Sequence, residues 1–455
     1  MSQQERSFMS KPLSRREFLK VAAATSLGVS ALGALPVAQA LAAADRSVSR
    51  AELLSSPPPA EPVEIQYWDM VWGPPEFIDT GKKLTDMFNA EHPDIKVVYQ
   101  SIPWTNWYQT FVTAIGSGTA PDISTGAAYQ AVYFFGQGAI EPVNDVVEDL
   151  KQAGKLDDVV VGAVDRLKFG EDYVALPWAI DVRCMWFRKD LLDAAGVQEP
   201  TNWEEFKAVA QACTKGDQYG YVTCGPEACG HQNLWLWMFD NAGGWFTPER
   251  KVDVFYERNV EALEFFSSLV KAGVIHPGSV GYSNSETRRT LHQGRAAIMI
   301  LNPGEPEQAP ADVADKMVMA SPLVGPHGDK GTISWVNNRM IYKQSKHPDA
   351  AKEVMKWWFD NELLLWTEGH CGNMTVRNSF TTNDYFQSKP YLKKAIAEWL
   401  PIGKSAGERV PGIFPELNTV EGEGFMDRLL QDLLQGKDVK EALQKVEAVL
   451  NVIVK

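Results

Sequence analysis

The sequence predicts an α/β fold arranged in two lobes, and three observations support this. The chain has 455 residues, 45% of them hydrophobic, which suits two or three packed domains better than a single core. From residue 63 onward, short β-like runs alternate with runs of helical periodicity. No linker interrupts residues 63–455, so we expect two lobes between which the chain crosses more than once.

The first elements alternate strand and helix. The apolar spacing predicts strands at 63–68 and 95–102, helices over 77–88 and 104–117, and a short strand at 122–125. This β-α-β-α-β order is typical of a parallel or mixed sheet with helices on both faces. The later pattern predicts a helix at 144–153, strands at 172–178, 182–188 and 296–301, and helices at 202–212 and 259–272.

Two more helices are predicted late in the chain, at 350–367 and 438–453. The second begins with an Asp-x-x-Glu cap. The first has one apolar stripe, made of Val354, Met355, Trp358 and Leu365. We interpret both as ordinary surface helices.

The amino terminus resembles an export signal. Arg15 and Arg16 precede an apolar stretch at 21–35 and small residues at 38–44, and residues 14–20, SRREFLK, resemble the twin-arginine motif. We assign residues 1–44 to a twin-arginine signal peptide read by the twin-arginine export machinery, and residues 45–62, rich in Pro, Ser and Ala, to a tether. The expected location is periplasmic or extracellular. A membrane anchor is the alternative, which Pro36 disfavours because it ends the apolar stretch early.

Charge and motifs restrict the classes of function. The 44 Lys and Arg residues oppose 58 Asp and Glu residues, giving a net charge of −14 without a basic block, so we expect no nucleic-acid partner. The sequence has no Gly-x-Gly-x-x-Gly after a strand, no phosphate loop, no Gly-x-Ser-x-Gly and no His-Glu-x-x-His. We therefore expect no cofactor, no metal and no catalytic residue. Because carboxylate pairs are numerous, an exported carbohydrate-active hydrolase remains the alternative.

The five cysteines leave two possible disulfides. In an oxidising compartment Cys224 could pair with Cys229, the nearest in sequence, or with Cys213. The odd count leaves at least one free thiol. No Cys or His pair has zinc-ligand spacing together with a matching second pair, so we expect no zinc site.

Tryptophan is the most informative residue type. The chain has 15, several at predicted strand ends or loops beside polar residues. Indole rings stack on the apolar face of a sugar, while carboxylates, amides and guanidinium groups bond to its hydroxyls. We predict carbohydrate contacts for Trp68, Asp69, Trp72, Trp104, Trp178, Asp181, Arg183, Trp235, Asp240, Trp245, Trp335 and Asn337. Core positions are predicted instead for Trp186, Trp203, Trp358, Trp366 and Trp399.

Several segments together carry a resemblance to a known family. They include FNAEHPDIKV at 88–97, GTAPDI at 118–123, YVALPW at 173–178 and GRAAIM at 294–299. On these motifs the chain resembles the family-1 extracellular solute-binding proteins of bacterial ABC importers, the group that includes maltose- and multiple-sugar-binding proteins. The resemblance covers nearly all of residues 63–455.

This resemblance implies a periplasmic-binding-protein fold, in which two α/β lobes joined by a hinge enclose a ligand cleft. The lobes would comprise residues 63–182 with 303–375, and 183–302 with 376–455, crossing near 181–183, 300–303 and 375–378. Matching of positions adds Asp122 and Tyr129 to the cleft candidates. One departure is that residues 302–305 read Asn-Pro-Gly-Glu where many sugar binders place a Trp.

The function implied is capture of a carbohydrate, expected to be a neutral mono- or oligosaccharide, and its delivery to the transmembrane subunits of an ABC transporter. We expect a monomer without enzymatic activity. Besides the hydrolase, the alternative is a binder of another polar solute such as a peptide, an opine or a phosphodiester.

Overall fold

The computed structural model describes residues 61–104, 106–127, 129–225, 228–410 and 413–454. The predicted signal peptide and nearly all of the predicted tether lie outside these residues. None of the α-helices among these residues combines the length and the hydrophobicity that a membrane span requires. The same part of the chain contains no group of three His, Cys, Asp or Glu residues that could hold a metal ion.

The described chain alternates strands with helices. The strands β1 to β14 are Val63–Met70, Ile95–Ile102, Ile123–Gly126, Ile140–Glu141, Lys168–Phe169, Asp172–Tyr173, Leu176–Val182, Cys184–Arg188, Tyr219–Val222, Ala296–Leu301, Met317–Met319, Thr332–Tyr342, Met374–Thr375 and Gly403–Lys404. The α-helices α1 to α17 are Pro75–Glu91, Trp107–Ser117, Gln130–Gly136, Asn144–Gln152, Lys189–Ala195, Trp203–Ala212, Ala228–Asp240, Glu257–Lys271, Asn284–His292, Ala311–Ala314, Pro348–Asn361, Leu364–Thr367, Asp384–Gln387, Pro390–Lys394, Glu416–Gly422, Phe425–Leu434 and Val439–Ile453. Short 3-10 turns occupy Lys155–Asp158, Asp165–Leu167, Pro277–Val280, Glu305–Gln308, Phe380–Thr382 and Leu400–Ile402.

The first lobe is built on a mixed sheet with strand order β13-β7-β12-β3-β1-β2. Strand β1 pairs in parallel with β2 and β3, whereas β12 runs antiparallel to β3 and β7. The short strands β4 and β14 also pair with β12. Eight residues of β1 and eight of β2 are in register from Val63 opposite Ile95 to Met70 opposite Ile102. The predicted β-α-β-α-β start is confirmed.

The second lobe is built on a four-stranded sheet with order β11-β8-β10-β9. The chain passes from the first sheet to the second at Arg183, which separates β7 from β8, within the predicted crossing at 181–183. The strand pairing shows that the chain returns to the first sheet later than at the expected crossing, 300–303. After β10 the chain still adds β11 to the edge of the second sheet, and only β12 rejoins the first. The third passage follows β13, and β14 then pairs with β12 before α16 and α17 pack on the second lobe.

The late predicted helix at 350–367 is two helices, and the first of them is the amphipathic surface helix that was predicted, with its polar face exposed. Val354, Met355 and Trp358 of α11 are fully buried against the first sheet. The helix ends before Glu362, whose carboxylate pairs with Arg339 in the core at 3.1 Å, and α12 follows separately. The sequence pattern shows the apolar stripe but not this buried ion pair.

Other boundaries differ by a few residues. The predicted strand at 172–178 divides into β6, which forms a hairpin with β5, and the start of β7. The predicted helix at 202–212 begins at Trp203, with the Asn202 side chain accepting from the amide of Glu205. At 438–453, Asp438 accepts from the amides of Lys440 and Glu441, so the predicted cap is confirmed.

The cysteine pairing is resolved in favour of the nearest pair. Cys224 and Cys229 form a disulfide, and Cys184, Cys213 and Cys371 are buried free thiols. The core assignments of tryptophan are confirmed as well. At most 4% of the surface is exposed in each of Trp186, Trp203, Trp358, Trp366 and Trp399.

Candidate functional site

The candidate site lies at the edge of the first sheet where the chain passes between the lobes. Strands β1, β2 and β3 are parallel to one another, so Met70, Ile102 and Gly126 end at this same edge. Strand β12 begins here because it is antiparallel to β3, and its Trp335 pairs in register with Asp181. The carboxyl edge and the first interlobe passage therefore meet.

A polar cluster surrounds Arg183 at this passage. Its guanidinium donates from Nη1 to Asp181 and from Nε to Gln232 Oε1, both at 2.6 Å. Its Cζ atom lies 5.0 Å from the centroid of the Trp335 ring. Because Asp181 and Trp335 belong to the first sheet and Gln232 to α7 of the second lobe, Arg183 connects the two lobes.

Trp335 also contacts a carboxylate that arrives from the far end of the chain. Its Nε1 donates to both oxygens of Glu421 at 2.9 and 3.0 Å. Burial raises the pKa of Glu421 to about 7, against the opposing effects of the Trp335 hydrogen bond and of nearby His231 and Arg183. Near neutral pH this carboxyl group can therefore either accept from or donate to a hydroxyl group.

A small cavity adjoins this cluster. It is lined by Tyr129, Arg166, Ser334, Trp335, Val336, Ser405 and Ile413. The Tyr129 hydroxyl accepts from the amide of Ala406 at 2.9 Å. Arg166 is exposed and makes no ion pair with any of the described residues. Two guanidinium groups, Arg166 and Arg183, thus stand near two carboxyl groups, Asp181 and Glu421, around one indole.

An aromatic array occupies the same edge of the first lobe. Trp72 contacts Trp104 with ring centroids 4.8 Å apart and Trp178 with centroids 5.3 Å apart, both edge to face. Trp104 is 38% exposed, whereas Trp72 and Trp178 are buried. Of the three rings, only that of Trp104 offers an open face to a ligand in this conformation.

Asp69 lies beneath this array and is almost fully buried. It accepts from the Thr125 hydroxyl at 2.7 Å and from the Tyr99 hydroxyl at 3.0 Å. Burial raises the pKa of Asp69 to about 6, partly offset by these hydrogen bonds and by Arg339. Its hydrogen bonds are with neighbouring side chains of the same sheet.

Not all predicted site residues meet at this edge. Asp122 precedes β3 and lies at the opposite end of the sheet, where it accepts from the Gln66 amide at 2.8 Å and the Ser345 hydroxyl at 2.6 Å. Trp68 points to the helix-covered face, with its ring 5.7 Å from that of Phe111. Asn337 is buried within β12.

The predicted residues of the second lobe are interior ones. Trp235 and Trp245 are fully buried and pack against each other, with ring centroids 5.5 Å apart. Asp240 accepts from Trp203 Nε1 at 2.6 Å, and burial raises its pKa to about 7. In this conformation these three side chains stabilise the lobe.

Sequence reasoning missed part of the polar cluster. Arg166, Gln232, Ser405 and Glu421 come from four separate segments, and none adjoins a motif that marks a ligand contact. Only Gln232 had a signal, because it lies three residues before Trp235 in a Trp-rich run.

Comparisons with known proteins agree with this geometry. Residues 74–363 match the model of the bacterial extracellular solute-binding protein family. The chain belongs to that family. A sugar transporter of Arthrobacter chlorophenolicus A6, solved with bound laminaribiose, is 34% identical, superposes with a TM-score of 0.82 and covers 86% of this chain and 100% of its own.

Two curated relatives are more distant. A protein of Brucella abortus (strain 2308) named as a binding protein is 25% identical over 383 residues, 81% of this chain and 89% of its own. The mannitol-binding protein of Pseudomonas aeruginosa is 25% identical over 289 residues, 61% of this chain and 65% of its own. The two-lobed fold expected from the resemblance is confirmed, as is the family. As a member of a family of binding proteins, the chain is a solute-binding protein.

Proposed function

We propose that this solute-binding protein captures a neutral mono- or oligosaccharide between its lobes and delivers it to the transmembrane subunits of an ABC transporter, without chemistry. The arrangement that carries the proposal is Arg183 stacked on Trp335 and flanked by Asp181, Gln232 and Glu421. Trp335 is 4% exposed in this conformation and Arg183 lies on its ring, so we propose that separation of the lobes uncovers the indole face, whose surrounding donors and acceptors match the amphipathic surface of a sugar ring. Laminaribiose, bound by the structure that shares 34% identity, is a ligand of this kind.

The balance of charge at the site supports a neutral ligand. Asp181 is already paired with Arg183 at 2.6 Å, and Glu421 is held by Trp335. An acidic sugar would need at least two cations free to converge on it, and among the described residues that line the cavity or contact Trp335, Arg166 is the one cation without an ion pair. We propose Tyr129, Arg166, Asp181, Arg183, Gln232, Trp335, Glu421 and Trp104 as ligand contacts.

Export and assembly complete the proposal. The SRREFLK segment at 14–20 supports translocation by the twin-arginine route, which would place the mature protein outside the cytoplasmic membrane, and we propose that it acts there as a monomer. Replacing Arg15 and Arg16 with Lys is expected to retain the precursor in the cytoplasm, as measured by cell fractionation.

One experiment distinguishes this function from the two alternatives, a hydrolase and a binder of another polar solute. Mature protein is titrated calorimetrically with laminaribiose, maltose, mannitol, glucuronate, glucose phosphates and small peptides, and each mixture is then analysed for bond cleavage. We expect heat from neutral sugars and no cleavage products. Cleavage would establish the hydrolase alternative, and binding of acidic ligands or peptides alone would overturn the choice of a neutral sugar.

A further inference from the structure

The further inference rests on the proposed function and concerns how the exposed aromatic face of Trp104 is held. Among the described residues, the large exposed hydrophobic side chains are Trp104, Val161, Phe255 and Val452. Only Trp104 follows a strand at the carboxyl edge of the first sheet, two residues after β2. Its Nε1 donates to the carbonyl of Val71 at 2.6 Å, so the polar atom of the indole is already satisfied and the ring face is left for an apolar surface.

The orientation of Trp104 depends on the ring below it. Trp72 meets Trp104 at an interplanar angle of 83°, edge to face, and meets Trp178 at 72°. Trp72 is 6% exposed and therefore has almost no freedom to reorient without moving both neighbours. The position of the open face therefore depends on Trp72, together with the Val71 carbonyl and the Trp107 ring, whose centroid lies 6.2 Å from that of Trp104.

Trp72 is fixed in turn by one hydroxyl group. Thr125 Oγ1 accepts from Trp72 Nε1 at 3.1 Å and from the Met70 amide at 2.9 Å. The same hydroxyl donates to Asp69 Oδ1 at 2.7 Å. A threonine hydroxyl has one proton and two lone pairs, so this group is saturated and cannot rotate without losing a bond.

Asp69 sets the direction of that hydroxyl. Its Oδ1 accepts the hydrogen bond that the Thr125 hydroxyl donates. The two lone pairs of Thr125 Oγ1 are therefore directed at the Met70 amide and at Trp72 Nε1. The Asp69 carboxylate is itself held by the Tyr99 hydroxyl on β2 through Oδ2, at 3.0 Å. Each member of the chain from Tyr99 to Trp72 is buried or partly buried.

We infer that Asp69 and Thr125 are positioning residues, which hold Trp72 and through it present the face of Trp104 to a sugar ring. Asp69 then acts on sugar affinity from below the site and without touching the ligand. This role differs from the direct contact that its sequence position suggests.

The test compares two substitutions of one side chain. T125V keeps the shape but removes the hydroxyl, whereas T125S keeps the hydroxyl. We expect T125V to weaken laminaribiose binding about three- to tenfold, the loss of a well-oriented aromatic contact, and T125S to restore near wild-type affinity. The ligand-free near-ultraviolet circular dichroism, which reports the coupling of packed indoles, is expected to change in T125V and not in T125S.

A matched control isolates this effect from loss of stability. Thr85 is a buried threonine in α1 whose hydroxyl bonds to the Gly81 carbonyl, so T85V removes a hydroxyl away from the edge. We expect T85V to leave both readouts unchanged. If T125V does not fold, T125A carries the same test, because it also removes the hydroxyl and leaves both tryptophans in place, and T125S remains its comparison.

The outcomes are distinguishable. An unchanged dichroism spectrum in T125V, wild-type affinity in T125V, or an equal loss in T85V would each overturn the inference. A wild-type protein that binds no sugar would overturn the proposed function, while the ligand-free spectra would still decide whether Thr125 holds Trp72.

Discussion

The guanidinium of Arg183 lies 5.0 Å above the indole of Trp335 and at the same time bonds to Asp181 and Gln232. Arg183 is the residue at which the chain first leaves one sheet for the other. A flat guanidinium can stack and form directed hydrogen bonds together, which an ammonium cannot. The pair therefore links the proposed binding surface to the first interlobe passage.

Replacing Arg183 with Lys is expected to weaken sugar affinity about tenfold, because the stacking on Trp335 and the fork of donors are lost together. Calorimetric titration with laminaribiose measures the change. Arg377 is the matched control, since it stacks on Phe359 at 4.3 Å and pairs with Asp158 at 2.7 Å away from the site. R377K is expected to keep full affinity, and an equal loss in both variants would contradict the proposed role of Arg183.

Truncation of the tryptophans should separate ligand contacts from core residues. Trp245 is fully buried, so W245A is expected to lower the free energy of unfolding by about 3–5 kcal/mol. W104A is expected to lower it by less than about 1 kcal/mol, because Trp104 is 38% exposed, yet to weaken sugar binding. Urea denaturation and calorimetry measure the two quantities. Phe255, 39% exposed, is the control, and F255A should leave both nearly unchanged.

The sequence allowed the strands and the core tryptophans to be predicted, because both depend on local apolar spacing. The bounds of β1 and β2, predicted at 63–68 and 95–102, lie within two residues of those in the structure. The complete burial of Trp178, by contrast, could not be predicted from local apolar spacing. Its strand β7 is paired on both sides by β12 and β13 and covered on both faces, although polar residues follow it in sequence.

The contacts that build the site were beyond the sequence. Asp122 begins the predicted strand at 122–125 and directly precedes β3, so its place at the opposite end of the sheet follows from the strand direction, and only the matching of positions to the family put it in the cleft. Glu421 reaches Trp335 from 86 residues away, through helix packing that no local pattern encodes. The polar cluster is therefore a product of the tertiary fold.

Stability is expected to depend on pH through Asp240. Burial raises the pKa of this carboxyl from 3.8 to about 7, so between those values the folded state keeps a proton that the unfolded state has released. The stabilisation of the folded state by protonated Asp240 is fully present below the unfolded-state pKa of 3.8 and is lost as pH rises to about 7. From pH 5 to pH 8 the loss is about 3 kcal/mol.

The variant D240N isolates this contribution, because the amide still accepts from Trp203 but does not titrate. Wild-type protein should lose more thermal stability than D240N between pH 5 and pH 8, as measured by calorimetric unfolding. Burial lowers the pKa of His276 and of His292, so these residues make the folded state less stable at acidic pH, opposite to the effect of Asp240. Their effect is the same in the wild type and in D240N, so it cancels in the comparison. Parallel pH profiles would show that Asp240 is ionised in the folded state throughout.

The Cys224–Cys229 disulfide joins the end of β9 to the start of α7, the helix that carries Gln232. Because the two residues are five apart, the entropy of loop closure gives a stabilisation of roughly 2 kcal/mol. The double variant C224S/C229S should therefore unfold at lower urea concentration, with C213S, which removes a buried free thiol, as the control. Equal midpoints for wild type and the double variant without reductant would mean that the bridge adds no stability.

The dependence of ligand affinity on salt concentration should show whether the ligand is neutral or anionic. Around the cavity two guanidinium groups, Arg166 and Arg183, stand against Asp181 and Glu421, so the local field is close to balanced despite the chain's net charge of −14. A neutral sugar experiences no long-range force, and its affinity should change less than about twofold between 50 and 500 mM NaCl. An anionic ligand recruited by the exposed Arg166 should bind much more weakly at the higher salt, because exposed charges are screened within about 10 Å. The variant R166Q keeps hydrogen-bonding capacity without charge, so it should bind the neutral sugar almost as well as wild type at both salt concentrations. A marked loss in R166Q at low salt that disappears at high salt would instead assign Arg166 to an acidic ligand.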